Sequence, residues 1–155
     1  MIQIIALVFS LLLSQVEASL CQNCPNTWVS FDNHCYRINY WTATSWHTAQ
    51  RRCMDYGADL ASIRYPEEQE FVFEWVKRVN KMHHNKYYWI GLNDIEKEKK
   101  WRWIDGSTYY YKNWSGNQPN NAHGIQDCTV IGSQGTWSDF ACKNKGYRYI
   151  CKKKC

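Results

Sequence analysis

Eight cysteines, Cys21, Cys24, Cys35, Cys53, Cys128, Cys142, Cys151 and Cys155, are the first side chains in this sequence that could do chemistry. A zinc site could begin at Cys21-x2-Cys24 with His34 nearby, but no second CxxC or HxxxH follows to complete four ligands. Structural disulfides are the better reading, and eight cysteines allow about 105 pairings, so spacing alone does not give the connectivity. No Ser or Cys nucleophile stands with a plausible His and Asp, and GxSxG, P-loop and HExxH motifs are missing. The sequence therefore reads as a binding protein and not as an enzyme. His83-His84 reads as a polar surface pair and not as a metal site, and Trp101, Trp103 and Tyr109 to Tyr111 as packing residues.

The start of the chain says where these cysteines would be oxidised. Ile4 to Leu13 is an unbroken run of about ten mostly apolar residues, too short for a helix across a ~30 Å hydrocarbon core. The small-x-small pattern Val16-Glu17-Ala18 follows, which suits signal peptidase, although Met1-Ile2-Gln3 lacks the usual Lys or Arg. Residues 1–18 are expected to be a secretory signal and residues 19–155 one extracellular domain, secreted and without membrane insertion. With 45% apolar, 16% aromatic and 21% charged residues, the composition is that of a globular protein. The net charge of +5 becomes +6 once Glu17 is removed with the signal, and Lys97 to Lys100 and Lys152 to Lys154 concentrate it. Such runs are ordinarily solvated faces; their functional counterpart is attraction to acidic glycans or a bacterial envelope. Nucleic acid is not an expected partner of a secreted chain.

The elements that must position any site are mixed α and β. Thr44 to Tyr56 carries a helical stripe of Trp46, Ala49, Cys53 and Tyr56 and stops at Gly57. A second helix opens at Pro66 with Glu67 and Glu68 at its positive end, buries Phe71, Val72, Trp75, Val76 and Val79, and ends near Asn80. Strands are expected at Tyr87 to Leu92, Trp101 to Ile104, Cys128 to Ile131 and Tyr147 to Cys151. Between Lys112 and Gln126 runs a Gly, Asn and Pro-rich stretch long enough to be functional.

A set of ordered landmarks runs from Cys24 to Cys151: Cys24-Pro25, Trp28, Cys35-Tyr36, Cys53-x3-Gly57-Ala58-x-Leu60-Ala61-Ser62-Ile63, Trp89-Ile90-Gly91-Leu92, Asn113-Trp114, Gln118-Pro119-Asn120, Asp127-Cys128, Trp137-Ser138-Asp139, Cys142 and Cys151. In this order they resemble the C-type lectin domain over nearly the whole chain after the signal. The resemblance implies an α+β double-loop fold with two helices and two small antiparallel sheets. It also implies disulfides Cys24 to Cys35, Cys53 to Cys151 and Cys128 to Cys142. Cys21 and Cys155 are left over; they could close on each other within the chain or link a homodimer, in which two weak sites would gain through effective concentration.

The resemblance ties sugar binding to calcium. It places Gln118, Asn120, Gln126, Ser138 and Asp139 where the family's carbohydrate and calcium ligands fall. Gln118 follows the galactose-type pattern and Asn120 the mannose-type, so the triplet is a hybrid. Asp139 is the single carboxylate where the family usually has three. Calcium affinity follows ligand charge, and a loss of even ~2 kcal/mol per carboxylate would weaken binding more than a hundredfold for two. A weak or absent primary calcium is therefore expected. An auxiliary position known in some members would draw on Asp94, Glu98, Asn121 and Asp127, with Gln126 shared; the competing account is a solvated loop whose Lys97, Lys99 and Lys100 take the same carboxylates. His123 is the one ring available for stacking on a sugar, although an exposed loop histidine is the plainer account. Asn113-Trp114-Ser115 is an N-glycosylation sequon, but the family places this Trp in the core. The reading is a secreted carbohydrate-binding protein recognising galactose- or mannose-type glycans on cell or microbial surfaces, in host defence or agglutination; the alternative is a protein-binding or matrix relative without calcium-dependent sugar binding.

Overall fold

The computed structural model describes residues 24–84 and 86–155. The expected signal segment, the expected boundary at residue 19 and Cys21 lie outside the described residues. Among the described residues there are eight strands: β1 (Val29–Phe31), β2 (His34–Thr44), β3 (Asp59–Leu60), β4 (Tyr87–Asn93), β5 (Arg102–Trp103), β6 (Cys128–Gly132), β7 (Trp137–Phe140) and β8 (Tyr147–Lys154). The helices are α1 (Trp46–Met54) and α2 (Pro66–His83).

Each helix starts where its sequence supplies a partner for the free amides of its first turn. Ser45 caps α1 by accepting from the Thr48 amide, and Arg51 and Arg52 sit against its negative end. Pro66 opens α2, followed by Glu67 and Glu68, and the helix runs one turn past Asn80 before His84 stops it in the left-handed conformation.

The strands form two antiparallel groups, as expected, but these are joined. β1, β2, β8 and β3 make one group, and β5, β4, β6 and β7 the other. A short parallel pairing, Tyr88 with Arg148 and Trp89 with Tyr149, fuses them into one mixed sheet. β1, β2 and β7 are strands that the hydrophobic pattern does not reveal, since β2 (HCYRINYWTAT) mixes polar and aromatic residues on both faces.

Side chains alternate across this sheet into two cores, as the two-residue period of a strand requires. On one side Tyr88, Ile90 and Ile150 pack with Val72, Val76 and Val79 of α2. On the other, Trp89, Tyr149 and Cys151 pack with Trp46, Ala49 and Cys53 of α1. Three buried indoles are satisfied, Trp89 Nε1 donating to Thr44 O (2.8 Å), Trp46 Nε1 to Ile90 O (2.9 Å) and Trp137 Nε1 to Gln69 Oε1 (2.8 Å), while Trp103 Nε1 is buried without a partner. Cys24–Cys35, Cys53–Cys151 and Cys128–Cys142 are disulfides, the three pairings that the resemblance implied. Cys53–Cys151 spans 98 residues and so restricts the unfolded chain most. Cys155 is also disulfide-bonded. No helix among the described residues is long and apolar enough to cross a membrane.

Candidate functional site

The stretch from Lys112 to Gln126 is irregular but firmly held. Its entry is an aromatic box in which Trp114 packs edge-on against Trp101 and Trp137 and donates Nε1–H to Tyr109 Oη (2.8 Å). The backbone is tied on both sides of that ring, Trp137 N donating to Asn113 O (2.8 Å) and Ser115 N to Trp137 O (2.9 Å). Asn113 Nδ2, the atom that N-glycosylation would modify, donates to Gly135 O at 2.9 Å. The resemblance placed Trp114 in the core; here it is partly buried and packs against the core's edge.

Beyond this anchor the chain turns at a cis Gln118-Pro119 bond and folds back onto β7. There Asp139, 1% exposed, accepts from Asn120 N at 3.1 Å through Oδ1 and from Asn121 N at 2.6 Å through Oδ2. Asn121 has positive φ, a conformation that Asn tolerates better than most residues, and its Oδ1 accepts from Gln126 N (3.0 Å). The Ala122 amide is shared between Gln126 Oε1 (2.7 Å) and Asn120 Oδ1 (3.1 Å). Ser138 Oγ meets Ser115 Oγ at 3.3 Å. Gln118 Oε1 is buried and has no hydrogen-bond partner.

The structure thus brings Asn120, Gln126 and Asp139 into one network through the backbone of residues 120–122. Ser138 lies on the same strand as Asp139 but spends its hydroxyl on Ser115, which the sequence marked only as part of a sequon. His123 is exposed on a tight turn. His83 stacks on Tyr40 at 4.4 Å and packs against Trp41, and His84 ends α2, so the histidine pair serves the fold.

The auxiliary residues border the same loop. Asn121 Nδ2 donates to Glu98 Oε2 (2.7 Å), and Asp94 N donates to Asp127 O (3.1 Å). Asp94 is buried; its Oδ2 accepts from Lys99 N (2.7 Å) while its Oδ1 has no partner. Burial first, and then the charges of Glu98 and Asp127, hold the Asp94 carboxyl above the ordinary carboxylate range. Among the described residues, the ammonium groups of Lys97, Lys99 and Lys100 form no ion pair with these carboxylates. The oxygens of the three acids do not converge as tightly as the sulfurs of Cys24, Cys35 and Cys155, which lie within 4.8 Å of one another and belong to disulfides.

A hard cation fits this donor set on chemical grounds. Calcium takes six to eight oxygens and favours charged ones, and the unpartnered Asp94 Oδ1 and Gln118 Oε1 are free acceptors at two neighbouring positions. Asp94, Glu98 and Asp127 would supply charge at the first. Gln118, Asn120, Gln126 and Asp139 would supply mainly neutral oxygens at the second.

Residues 42–153 match the family described as the lectin C-type domain. The chain belongs to the C-type lectin domain family. This is a carbohydrate-binding family and not one of enzymes, and its domains in general bind calcium. CD209 antigen-like protein A of Mus musculus is 37% identical over 147 residues, covering 91% of this chain and 58% of that protein. C-type lectin domain family 4 member G of Mus musculus is 32% identical over 141 residues, covering 89% of this chain and 45% of that protein. The chain thus spans about half the length of these curated relatives. Among solved structures, the cow C-type carbohydrate-recognition domain of CD23, determined with a GlcNAc2Man3 oligosaccharide, superposes with a TM-score of 0.77. It is 30% identical, and the match covers 87% of this chain and 98% of that one.

Proposed function

We propose that this C-type lectin domain is secreted, carries no catalytic activity, and binds galactose- or mannose-type glycans on cell or microbial surfaces with weakened calcium dependence. The observation that carries the reading is the buried, unpartnered Oε1 of Gln118, two residues before Asn120, whose amide Asp139 accepts. A buried acceptor without a donor is costly, and a sugar hydroxyl or a cation would satisfy it. The carboxamides of Gln118, Asn120 and Gln126 can both donate to and accept from vicinal hydroxyls, with Ser138 at the margin and Asp139 holding the loop. Calcium at this position would lean on one carboxylate that already accepts two amides, which supports low affinity there. The Asp94, Glu98, Asn121 and Asp127 group is the better-charged calcium position and would stiffen the loop from behind. Agglutination or pathogen recognition is the role such a module would serve.

A second reading, a protein-binding or matrix domain that has lost calcium-dependent sugar binding, is favoured by the two backbone amides that occupy Asp139. The test is binding to mannose and galactose resins and to a glycan array, each with calcium and with chelator. Binding that survives chelator, or weakens only a few fold, is expected. Complete loss with chelator would overturn the weak-calcium reading, and no glycan binding in either condition would leave the second reading.

A further inference from the structure

Away from the long loop, an open cavity of about 420 Å³ lies where the start of β2 meets the end of β8, bordered by the turn after β5. It shares no residue with the glycan site proposed above. Its floor is set by strand register. His34 and Lys154 are direct cross-strand partners, so both point to one face of the sheet, as does Lys152 two residues back. Arg64 borders the same cavity from the segment leading into α2.

The donors and acceptors around this cavity are out of balance. Each carboxylate near it, Asp32 beneath Tyr65 Oη included, already accepts at least one hydrogen bond. Asp105 accepts from Ser62 Oγ (2.6 Å) and Ser107 N (2.9 Å), Asp59 from Gln50 Nε2 (2.5 Å), and Glu68 from Tyr36, Lys152 and the Arg64 amide. Lys152 is spent as well, on Glu68 and both oxygens of Ser62, and Lys153 donates to Tyr56 O and lies over the Trp28 ring. Two groups retain donors. Arg64 turns its buried Nε to Glu68 Oε2 (3.5 Å) and its Nη2 to Asp32 Oδ2 (4.0 Å), and its Nη1 makes no hydrogen bond or ion pair among the described residues. Lys154 makes no side-chain hydrogen bond or ion pair among the described residues. The His34 ring donates Nδ1–H to Asp32 O (2.6 Å), so Nε2 of the neutral ring is an acceptor and His34 only borders the cavity. Burial, and then the positive charges of Lys152 and Arg64, hold the His34 ring below its ordinary value, as expected in surroundings rich in cations.

We infer that this cavity is a second binding site, in which Arg64 and Lys154 hold the oxyanion of a sulfated polysaccharide. The ligand must supply acceptor oxygens to both cations, which a tetrahedral oxyanion does, and a guanidinium is the side chain suited to such a partner. An opening of this size exceeds a free ion and accommodates the sugar that carries the group. That the oxyanion comes on a polysaccharide rests on the lectin reading; that the site takes an oxyanion does not.

The test measures binding of the intact protein to dextran sulfate and to neutral dextran, with sodium sulfate and sodium phosphate as competitors. Dextran sulfate should bind and neutral dextran should not. Arg64→Gln/Lys154→Gln should weaken dextran sulfate binding at least tenfold, while leaving the mannose- and galactose-resin results unchanged. Lys97→Gln/Lys99→Gln/Lys100→Gln, which removes more charge from another surface, should weaken it less than threefold. Lys154→Gln alone, at an exposed position near the chain end, should weaken it measurably without altering thermal stability and so covers the case in which Arg64→Gln misfolds. Equal losses in the double and triple variants would reduce the effect to net charge and overturn the proposal, as would no binding at all. Phosphate or sulfate alone competing at micromolar concentration would identify a free-anion site and overturn the polysaccharide assignment. If no resin binds any protein yet dextran sulfate binding falls in the double variant, this site stands and the glycan-site reading fails.

Discussion

Asp139 Oδ2 accepts the backbone amide of Asn121 at 2.6 Å, and its other oxygen accepts that of Asn120. One buried carboxylate on a rigid strand therefore fixes the turn of an 18-residue-distant loop. Hydrogen bonds to a charged acceptor contribute about 1.5–3 kcal/mol each, and leaving a buried donor unmatched costs about 1–3 kcal/mol. Asp139→Ala should lower unfolding stability by about 2–4 kcal/mol in chemical denaturation and abolish glycan binding. Asp139→Asn should lose less stability, because one amide can still be accepted. If Asp139→Ala binds glycan as wild type does, the carboxylate does not organise the site.

The ion pair of Glu68 and Lys152 is the most buried charge pair among the described residues, with side chains 0% and 4% exposed. Tyr36 and Arg64 N complete the bonding of Glu68, and Ser62 completes that of Lys152. Removing one partner from such a pair costs about 3–5 kcal/mol, because the other charge stays buried and unmatched. Glu68→Gln and Lys152→Met should each destabilise on that scale. Glu68→Leu/Lys152→Met together should be less destabilising than the sum, and a double-mutant cycle measures the difference. Strict additivity would mean that the two charges do not depend on each other.

The helices were legible because each carries its signals in one local stretch: Pro66-Glu67-Glu68 at one start, and the valines at 72, 76 and 79 along one face. The disulfides and the aromatic anchor were legible through the ordered landmarks. β2 was not, because Tyr36 and Ile38 face one core while Cys35, Arg37 and Asn39 alternate with them, and this mixture hides a strand. The site was legible in its residue types but not in its bonding. Nothing local in sequence shows that Asp139 would spend both oxygens on Asn120 and Asn121, or that Asn121 would reach Glu98. The Arg64, His34 and Lys154 cleft was visible only as a run of lysines, since its character comes from cross-strand register.

Acid stability should depend on Asp105. Burial raises its carboxyl, but the hydrogen bonds from Ser62 and Ser107 outweigh this and hold it below the ordinary carboxylate range. A carboxyl held lower in the folded chain than in the unfolded one contributes stability above its unfolded value, and that contribution is lost as pH falls through the folded value. Between neutrality and the ordinary carboxylate range it stays constant; below that range it declines. Asp105→Asn should therefore be less stable than wild type at pH 7, with the gap closing as pH falls below about 4. Thermal melts across pH 2 to 7 check this, and a gap that widens on acidification would reverse the sign assigned to Asp105.

Gly91, in the middle of β4, is required by close approach and not by backbone conformation. A Cβ there would stand 2.5 Å from Leu60 O and 2.8 Å from Ile104 Cγ2. Ile104 could rotate, but Leu60 is a backbone carbonyl in β3, which is paired to β8 at Cys151 and followed by the Ala61 O bond to Gly91 N at 2.9 Å. The methyl group would push β3 from β4 at the point where α1, the Cys53–Cys151 disulfide and the central sheet meet. Overpacking of this kind costs about 1–3 kcal/mol, more where backbone must shift. Gly91→Ala should fall at or above the upper end in denaturant unfolding, and Gly91→Ala/Ile104→Val should recover only a part, since it relieves the softer contact alone. Full recovery in the double variant would place the clash at Ile104 and show that the Leu60 backbone can yield.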